Sequence, residues 1–443
     1  MHPSGSEVRM VPETQELGTT EDLVERVAAI DVAKASGMVC MRLPHATRTG
    51  RRVQEVWNVP STTTAILELG DRLVCQGVTR VVMEATGAYW KPYFFLLEAR
   101  GLECWLVNAR DVKNVPGRPK TDKLDAVWLA RLTERGMLRP SFVPPKPVRQ
   151  LRDLTRLRAA LNQERSRHKQ RVEKILEDAQ IKVTSVLTDL FGASGRDMLA
   201  ALIAGERSPR VLADLARGNL VRKKATLADA LTGQFEDHHS FLCQTLLDSI
   251  DHLTGQIARL NEQITAAVQD LPGPEEHTRP GPSLVERLDA IPGVGPTTAH
   301  ILLAELGPDM AVFPTADHLA SWAKLTPRTT QSGAKRGSSP TGRGNPWLKS
   351  ALGEAASAAA RTDTYLGARY RRIVKRRGRK KALVAVARSI LIIAWHLIND
   401  PDTTFCDLGS DYHERLIDPK RRTRDLVRQL NALGHDVTLT PAS

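Results

Sequence analysis

Cysteine, acidic charge and long apolar runs are all in short supply in this chain, and each shortage narrows what it can be. The five cysteines (Cys40, Cys75, Cys104, Cys243 and Cys406) are an odd number, scattered, with no Cys-x-x-Cys pair. Neither a disulfide framework nor a zinc site is suggested, and a reducing cytoplasm fits. The most apolar stretch, Ala382 to Ile398, is interrupted by Arg388, Ser389 and His396. A spanning helix needs about 20 mostly apolar residues, so a buried core helix of a soluble protein is expected there, and no membrane partner. The first residues are polar and acidic rather than basic and then apolar, so no signal peptide is expected. Acids number 50 against 63 lysines and arginines, leaving a net charge of +13. That excess favours a polyanionic partner, because each neutralised phosphate releases condensed counterions, without separating DNA from RNA. At 443 residues, two or three domains are expected.

The acids that are present are placed in a telling way. Asp31 ends the apolar run Val27-Ala28-Ala29-Ile30, and Glu84 ends Arg80-Val81-Val82-Met83. Asp122 and Asp125 follow, three apart, in Lys120-Thr121-Asp122-Lys123-Leu124-Asp125-Ala126. Strands are expected at Val27–Ala33, Gly37–Leu43, Gln54–Val59, Arg80–Glu84 and Glu103–Val107, and helices at Thr62–Gln76, Pro92–Arg100 and Asp122–Arg135. Alternation of this kind argues for an α/β layer fold. Thr121 is a natural N-cap that places Asp122 and Asp125 on one face of a first helical turn. Charges at the ends of branched apolar strands are costly to bury without a partner or metal. Four hard oxygen ligands suit Mg²⁺, and two such ions clamp the attacking and leaving oxygens of a phosphodiester. The plainer reading is a set of solvated strand ends, with Asp125 paired on the surface to Lys123 or Arg131.

Beyond the acids, the chain divides at its prolines. A polar tail (1–25) precedes the α/β unit (26–139), and a Pro-rich linker (140–147) follows it. A helical region (148–271) contains Leu246, Ile250, Leu253, Ile257, Leu260, Ile264, Ala267 and Leu271, spaced alternately by four and three. This is a coiled-coil seam, whose partner is either the charged helical stretch from Val148 to Ile181 or a second chain. The segment from about Asp189 to His239 carries no chemical signal; Glu236-Asp237-His238-His239 has metal-binding residue types, but no second cluster completes a site, and it is expected to be surface. A linker (272–283) leads to an all-α C-terminal domain (284–400) and a peripheral tail (401–443).

Three features of that last domain suit nucleic acid. Gly293 and Gly295, in Ile291-Pro292-Gly293-Val294-Gly295-Pro296, allow a sharp interhelical turn that presents helix N-terminal amides to phosphate. In Gln331-Ser332-Gly333-Ala334-Lys335-Arg336, a serine precedes Lys335 and Arg336. On residue types alone this is a basic loop touching phosphates, with Ser332, Ser338 and Ser339 as rival nucleophiles. Finally, Arg371, Arg372, Lys375, Arg376, Arg377 and Arg379 fall in a stretch without acids, near Tyr365 and Tyr370, which are possible stacking partners.

Taken in order, Ala29-Ile30-Asp31-Val32-Ala33-Lys34, Met83-Glu84-Ala85-Thr86-Gly87, Lys120 to Ala126, Leu325-Thr326-Pro327 and Gln331-Ser332-Gly333 resemble the DEDD transposases of the bacterial insertion-sequence "one-ten" family and the related Piv-type invertases. The resemblance covers roughly residues 27–135 and 285–400. It implies a RuvC-like (ribonuclease-H) N-terminal fold with Asp31, Glu84, Asp122 and Asp125 as ligands to Mg²⁺, two ions per site. It implies that Ser332 attacks DNA to form a phosphoserine intermediate, in a site shared between protomers of a dimer or tetramer. Donor and target DNA, a structured guide RNA and a cytoplasmic, nucleoid-associated location are implied as well. Two departures stand out: Ala29 replaces the family's usual glycine, and Asn108 is followed by Ala109 where many relatives have Asn-Pro. Rival readings are a hydrolytic RuvC-like junction endonuclease and a non-catalytic nucleic-acid-binding coiled-coil protein.

Overall fold

A computed structural model describes residues 24–48, 51–85, 87–108, 121–271, 281–327, 331–332, 335–336, 341–416 and 418–440. The chain separates into two compact units, 1–143 and 144–443.

The first unit is built on five strands: β1 (Val27–Val32), β2 (Ser36–Pro44), β3 (Arg52–Pro60), β4 (Arg80–Glu84) and β5 (Glu103–Val107). Their order is β3-β2-β1-β4-β5. β1 to β3 form an antiparallel meander, whereas β4 and β5 run parallel to β1. Helices α1 (Thr63–Cys75), α2 (Trp90–Glu98) and α3 (Asp122–Glu134) cover the sheet. Alternation along the strands sorts the two faces. Ala28, Ile30, Val81 and Met83 join Ile66 and Leu73 of α1 and Phe94 and Leu97 of α2 in one core. Ala29, Val82 and Val107 meet Ala126, Leu129 and Ala130 of α3 in the other. Both faces are covered, which is why β1 and β4 read as nearly unbroken apolar runs. The mixed α/β character expected from the sequence is present, joined to a larger helical part.

The last turn of α3 is fixed by charge. Glu134 accepts from Arg42 Nε on β2 and Arg52 Nε on β3, each at 2.6 Å. Partial burial opposes its ionisation, but the bonds and charge of the two arginines outweigh that and hold the carboxyl below its ordinary value.

The second unit begins with a helical hairpin. Helix α4 (Lys146–Asp178) and, further along, α8 (Asp237–Gln269) lie antiparallel: Arg158 bonds Asn261 at 3.1 Å, Arg165 bonds Thr254 at 3.3 Å, and Asp178 meets His239 at 3.3 Å. The heptad seam therefore finds its partner within the chain, with Ile250, Leu253, Ile257 and Ile264 buried. Between the arms, α5 (Ala193–Ile203), α6 (Pro209–Asp214) and α7 (Lys224–Ala230) pack Met198, Leu199, Leu212 and Leu227 onto Val172, Leu176 and Leu247. The segment without a chemical signal is thus a small core capping the hairpin's far end.

The rest of this unit contains α9 (Leu284–Asp289), α10 (Pro296–Leu306), α11 (Ala316–Trp322), α12 (Pro346–Ala359), α13 (Tyr365–Arg377) and α14 (Arg379–Asn399), then α15 (Tyr412–Arg415) and α16 (Pro419–Ala432). Helix α14 is long and apolar enough to cross a membrane by length and composition. Here its Val386, Ile390, Leu391 and Leu397 are buried, and α9, α11, α12 and α13 pack against it. Buried Arg287 of α9 donates to the carbonyls of Leu397, Asp400 and Thr403 at 2.8–3.2 Å, a cation placed on the negative end of α14. Residues just past 400 are accordingly anchored rather than peripheral.

At the hairpin's base, Glu305 near the end of α10 is fully buried. Arg156 grips it through Nε and Nη2 at 2.8 and 2.9 Å, Arg152 Nε lies 3.2 Å away, and Asn345 Nδ2 donates at 2.6 Å. Arg152 also donates to the carbonyls of Ala304 and Glu305.

These two ionic centres differ in burial and so in expected cost. Glu305→Ala leaves the mostly buried Arg152 and the partly exposed Arg156 without their anion and is expected to destabilise the second unit by about 3 kcal/mol, seen as an early calorimetric transition. Glu134→Gln is expected to cost roughly 1–2 kcal/mol at neutral pH. Because the Glu134 pKa is depressed on folding, its contribution is complete above the unfolded glutamate value and is lost as pH falls below about 4. The variant's stability is therefore expected to be flatter with pH there, which urea titrations at several pH values would reveal.

Candidate functional site

Register pairs two of the acids, and the first turn of α3 carries the other two. β1 and β4 are parallel neighbours with Ile30 opposite Met83, so Asp31 and Glu84 stand side by side one residue further on. Two residues earlier on each strand, Ala29 and Val82 pack against α3. Side chains alternate along a strand, so Asp31 and Glu84 emerge on that same, α3-covered face. The direction of α3 follows from Glu134: it bonds Arg42, which pairs with Val27 at the start of β1. The far end of α3 thus lies over the beginning of β1, and its N-terminus over the Asp31 end.

That N-terminus carries the other two acids. Thr121 caps α3, its Oγ1 accepting the Leu124 N–H at 3.3 Å and its carbonyl accepting the Asp125 N–H at 2.8 Å. Asp122 and Asp125 then occupy the first turn, where the helix dipole favours negative charge. Asp31, Glu84 and Asp125 are half-buried and Asp122 is exposed. The donor set is all carboxylate oxygen, the chemistry a hard divalent cation takes. No histidine or cysteine from the four positions biases it towards a softer metal.

Ser332 belongs to the second unit. Strand β6 (Gln331–Ser332) pairs antiparallel with β7 (Lys335–Arg336), with Gln331 opposite Arg336 and Ser332 opposite Lys335. The backbone thus sets the serine across from a lysine. Ser338 and Ser339 lie outside the described residues. The chain on either side of the hairpin is tied down. Leu325 is buried, its N–H bonded to the Ala320 carbonyl, and Lys324 adopts φ 55°. Gly344 has φ +59°, and an added Cβ would lie 2.5 Å from the Ala323 carbonyl oxygen. Asn345 next caps α12, its Oδ1 accepting from Trp347 and Leu348, while its Nδ2 reaches Glu305. Lys349 adds a bond to the Gly342 carbonyl at 2.7 Å.

The two glycines of the interhelical turn have different jobs. A Cβ on Gly293, at φ +88°, would lie 2.2 Å from the Ala355 carbonyl oxygen and 2.7 Å from the Ala359 nitrogen. This glycine is required by close packing on α12. Gly295 has open space around it and caps α10, leaving the exposed Thr297 near the helix start facing solvent. A cleft of about 950 Å³ opens beside it, lined by Arg158, Asn162, Ser166, Arg167, Thr297 and Trp347 among others.

The basic stretch straddles Gly378, whose φ of +77° ends α13 and starts α14. Arg371, Arg372, Lys375, Arg376, Arg377 and Arg379 are all exposed. Arg371 pairs with Asp363 at 3.2 Å, and among the described residues the other five have no acidic partner. Tyr365 is unsuited to base stacking as placed: its ring packs on Tyr412 and His413 at 5.2 and 5.1 Å. Burial, together with Arg372 and Arg369, lowers the His413 pKa.

The sequence singles out the acids, the serine and the basic stretch as candidates, but gives no sign of the frame formed by Arg152, Arg156, Glu305 and Asn345. Those residues are separated by up to 193 positions, counting from Arg152 to Asn345, and no local pattern links them.

Comparison with known proteins agrees with both halves of this layout. Residues 28–181 match the family model for the DEDD transposase of IS110, described as a transposase. Residues 285–371 match the transposase model of the IS116/IS110/IS902 family. A probable family 20 transposase of Pseudomonas aeruginosa is 27% identical over 326 residues, 72% of this chain and 83% of that protein. The pilin gene-inverting protein of Moraxella lacunata is 26% identical over 72% of this chain and 79% of its own length. The transposase for insertion sequence element IS1111A of Coxiella burnetii is 26% identical, covering 74% of this chain and 79% of that protein. An acid-bearing N-terminal match followed by a serine-bearing C-terminal match, in the same order and across most of several relatives, places the chain in the IS110 family of insertion-sequence transposases, related to the Piv-type pilin gene-inverting proteins.

Proposed function

We propose that this protein is a DNA recombinase that excises and integrates its own insertion sequence, using Asp31, Glu84, Asp122 and Asp125 to hold two Mg²⁺ ions and Ser332 as the nucleophile. What supports the reading is that register sets Asp31 beside Glu84 on the face of the sheet that α3 covers, with Asp122 and Asp125 in the first turn of that helix. When bound, the ions would supply charge neutralisation at the scissile phosphate and at its attacking and leaving oxygens.

In the proposed step, Ser332 Oγ forms a bond to phosphorus, the phosphodiester bond to the leaving strand breaks, and the departing oxygen takes up a proton. Rejoining is the reverse, with a new strand's hydroxyl displacing the serine, so the energy of the phosphodiester is conserved. Lys335 is the backbone partner of Ser332 in the hairpin, and Arg336 follows it in sequence; cations of this kind favour a docked phosphate. The acids and the serine belong to different compact units, which is compatible with a site completed by a second protomer in a dimer or tetramer.

The exposed arginines and lysines around Gly378 and the open amides after Gly295 would hold donor DNA, target DNA and a structured guide RNA by their backbones. Target choice would then lie in base pairing by that RNA. Such a protein would work in the bacterial cytoplasm, at the nucleoid.

Ser332→Ala is expected to abolish strand exchange and any covalent protein–DNA adduct while leaving DNA and RNA affinity within about threefold, or ~0.7 kcal/mol. Denaturing gels with end-labelled DNA would show the adduct, and its persistence in the variant would overturn the assignment. A hydrolytic junction nuclease would give cleavage with no adduct at all. Asp31→Asn, Glu84→Gln or Asp125→Asn is each expected to slow strand exchange by at least about 100-fold, ~2.7 kcal/mol of barrier. Unchanged rates in all three, measured with Mg²⁺ in excess, would favour a purely nucleic-acid-binding role.

A further inference from the structure

We propose that Asp178, His238 and His239 form a binding site for a transition-metal dication of the zinc class at the far end of the helical hairpin. The run Glu236-Asp237-His238-His239 lacks a partner cluster in sequence, and the fold supplies one from 58 positions upstream of Glu236. Asp178 is the last residue of α4, and the two histidines lie in the first turn of α8. Antiparallel pairing of these helices brings the three together, with one ligand atom from each lying within 4.8 Å of the others. The Glu236 carboxylate stands 3.4 Å from His238 Nδ1 and adds negative charge beside the group. Two imidazoles with a carboxylate, and water completing the shell, is a donor set that suits Zn²⁺ and not Mg²⁺, which prefers oxygen alone.

The surroundings favour a cation. Asp178 is at the negative C-terminal end of α4. Among the described residues no lysine or arginine neutralises it; its partner is the His239 ring, Nε2 to Oδ2 at 3.3 Å. The His238 and His239 rings lie with centroids 3.7 Å apart, tilted 40° to one another, beside the carboxylate. His239 is buried, whereas His238 and Asp178 face solvent, which leaves an entry path. In the metal-free chain His239 Nδ1 accepts the Glu236 backbone N–H at 3.0 Å, so the ring proton sits on Nε2 and is donated to Asp178. Coordination through Nε2 moves that proton to Nδ1 and opens this one capping bond. Metal–ligand bonds from three side chains outweigh a single cap. A loaded site would staple the two arms of the hairpin where the small α5–α7 core sits between them.

The test uses the full-length chain in excess Mg²⁺, so that the four sheet acids are already supplied with their preferred ion, and titrates it with Zn²⁺ by calorimetry. One Zn²⁺ per chain is expected to bind, with a rise in melting temperature. Asp178→Asn and His238→Gln, whose side chains are 77% and 57% exposed and so should not disturb folding, are each expected to weaken Zn²⁺ binding at least tenfold and to abolish the rise. Asp31→Asn is expected to leave both unchanged. No binding at about 100 µM Zn²⁺, or binding that survives Asp178→Asn and His238→Gln, overturns the proposal.

Discussion

A single buried carboxylate organises the second unit. Taking Glu305 out of water costs several kcal/mol, a cost offset only where the partners are close and well aligned. Arg156 meets it in a bidentate fork, Arg152 adds a second charge, and Asn345 supplies a neutral donor. The same Arg152 guanidinium takes up two carbonyls at the end of α10, groups that a helix terminus would otherwise leave unpaired. Because all these bonds converge on one side chain, the base of α4, the end of α10 and the start of α12 are located by a common point. Hydrophobic packing alone is non-directional and would tolerate sliding of one helix along another. A charge buried to this degree does not tolerate it, since a shift that breaks one bond leaves an uncompensated ion.

In the first unit the corresponding constraint lies at the C-terminal end of α3. Glu134 is shared by arginines on two strands, so α3 cannot rotate or slip along the sheet without losing both. The consequence appears at the opposite end of the helix, where Asp122 and Asp125 sit in the first turn above Asp31. An interaction among ordinary structural residues thus fixes how α3 lies on the sheet, and with it where Asp122 and Asp125 are held. The small side chains between them, Ala29 on β1 and Ala126 and Ala130 on α3, allow the helix to lie close to the strands.

How much of this was readable in advance follows from the range of each interaction. All five strands of the sheet were bounded to within two residues, because apolar runs, turn residues and alternation are local signals. The Thr121 cap was readable for the same reason, and so was the placement of two acids in one helical turn. The heptad seam identified which face of α8 is apolar but not what covers it, since a coiled-coil face is satisfied equally by its own chain or another. Asp178 was invisible as a neighbour of His238 and His239 until that pairing was known. Glu305, Arg156 and Asn345 give no signal either: each looks like a surface residue by type, and only the fold buries Glu305 and brings the other two to it. The sequence around Gly293 signals a turn, whereas the close approach of the Ala355 carbonyl is the stricter demand on that position.

The serine hairpin shows why such long-range contacts bear on chemistry. Strands of two residues each cannot stabilise themselves in water, so β6 and β7 do not determine their own position. Position must come from the segments that enter and leave. On the entering side Leu325 is buried and Lys324 holds an unusual left-handed backbone; on the leaving side Gly344 is pressed against the Ala323 carbonyl. Those contacts bring the two ends of the excursion together, and Asn345 then carries the connection into the buried Glu305 centre. A nucleophile must be placed to within a fraction of an ångström to react efficiently. For the proposed serine nucleophile on so short a hairpin, that precision has its source in the residues that clamp the base, and through Asn345 in the buried Glu305.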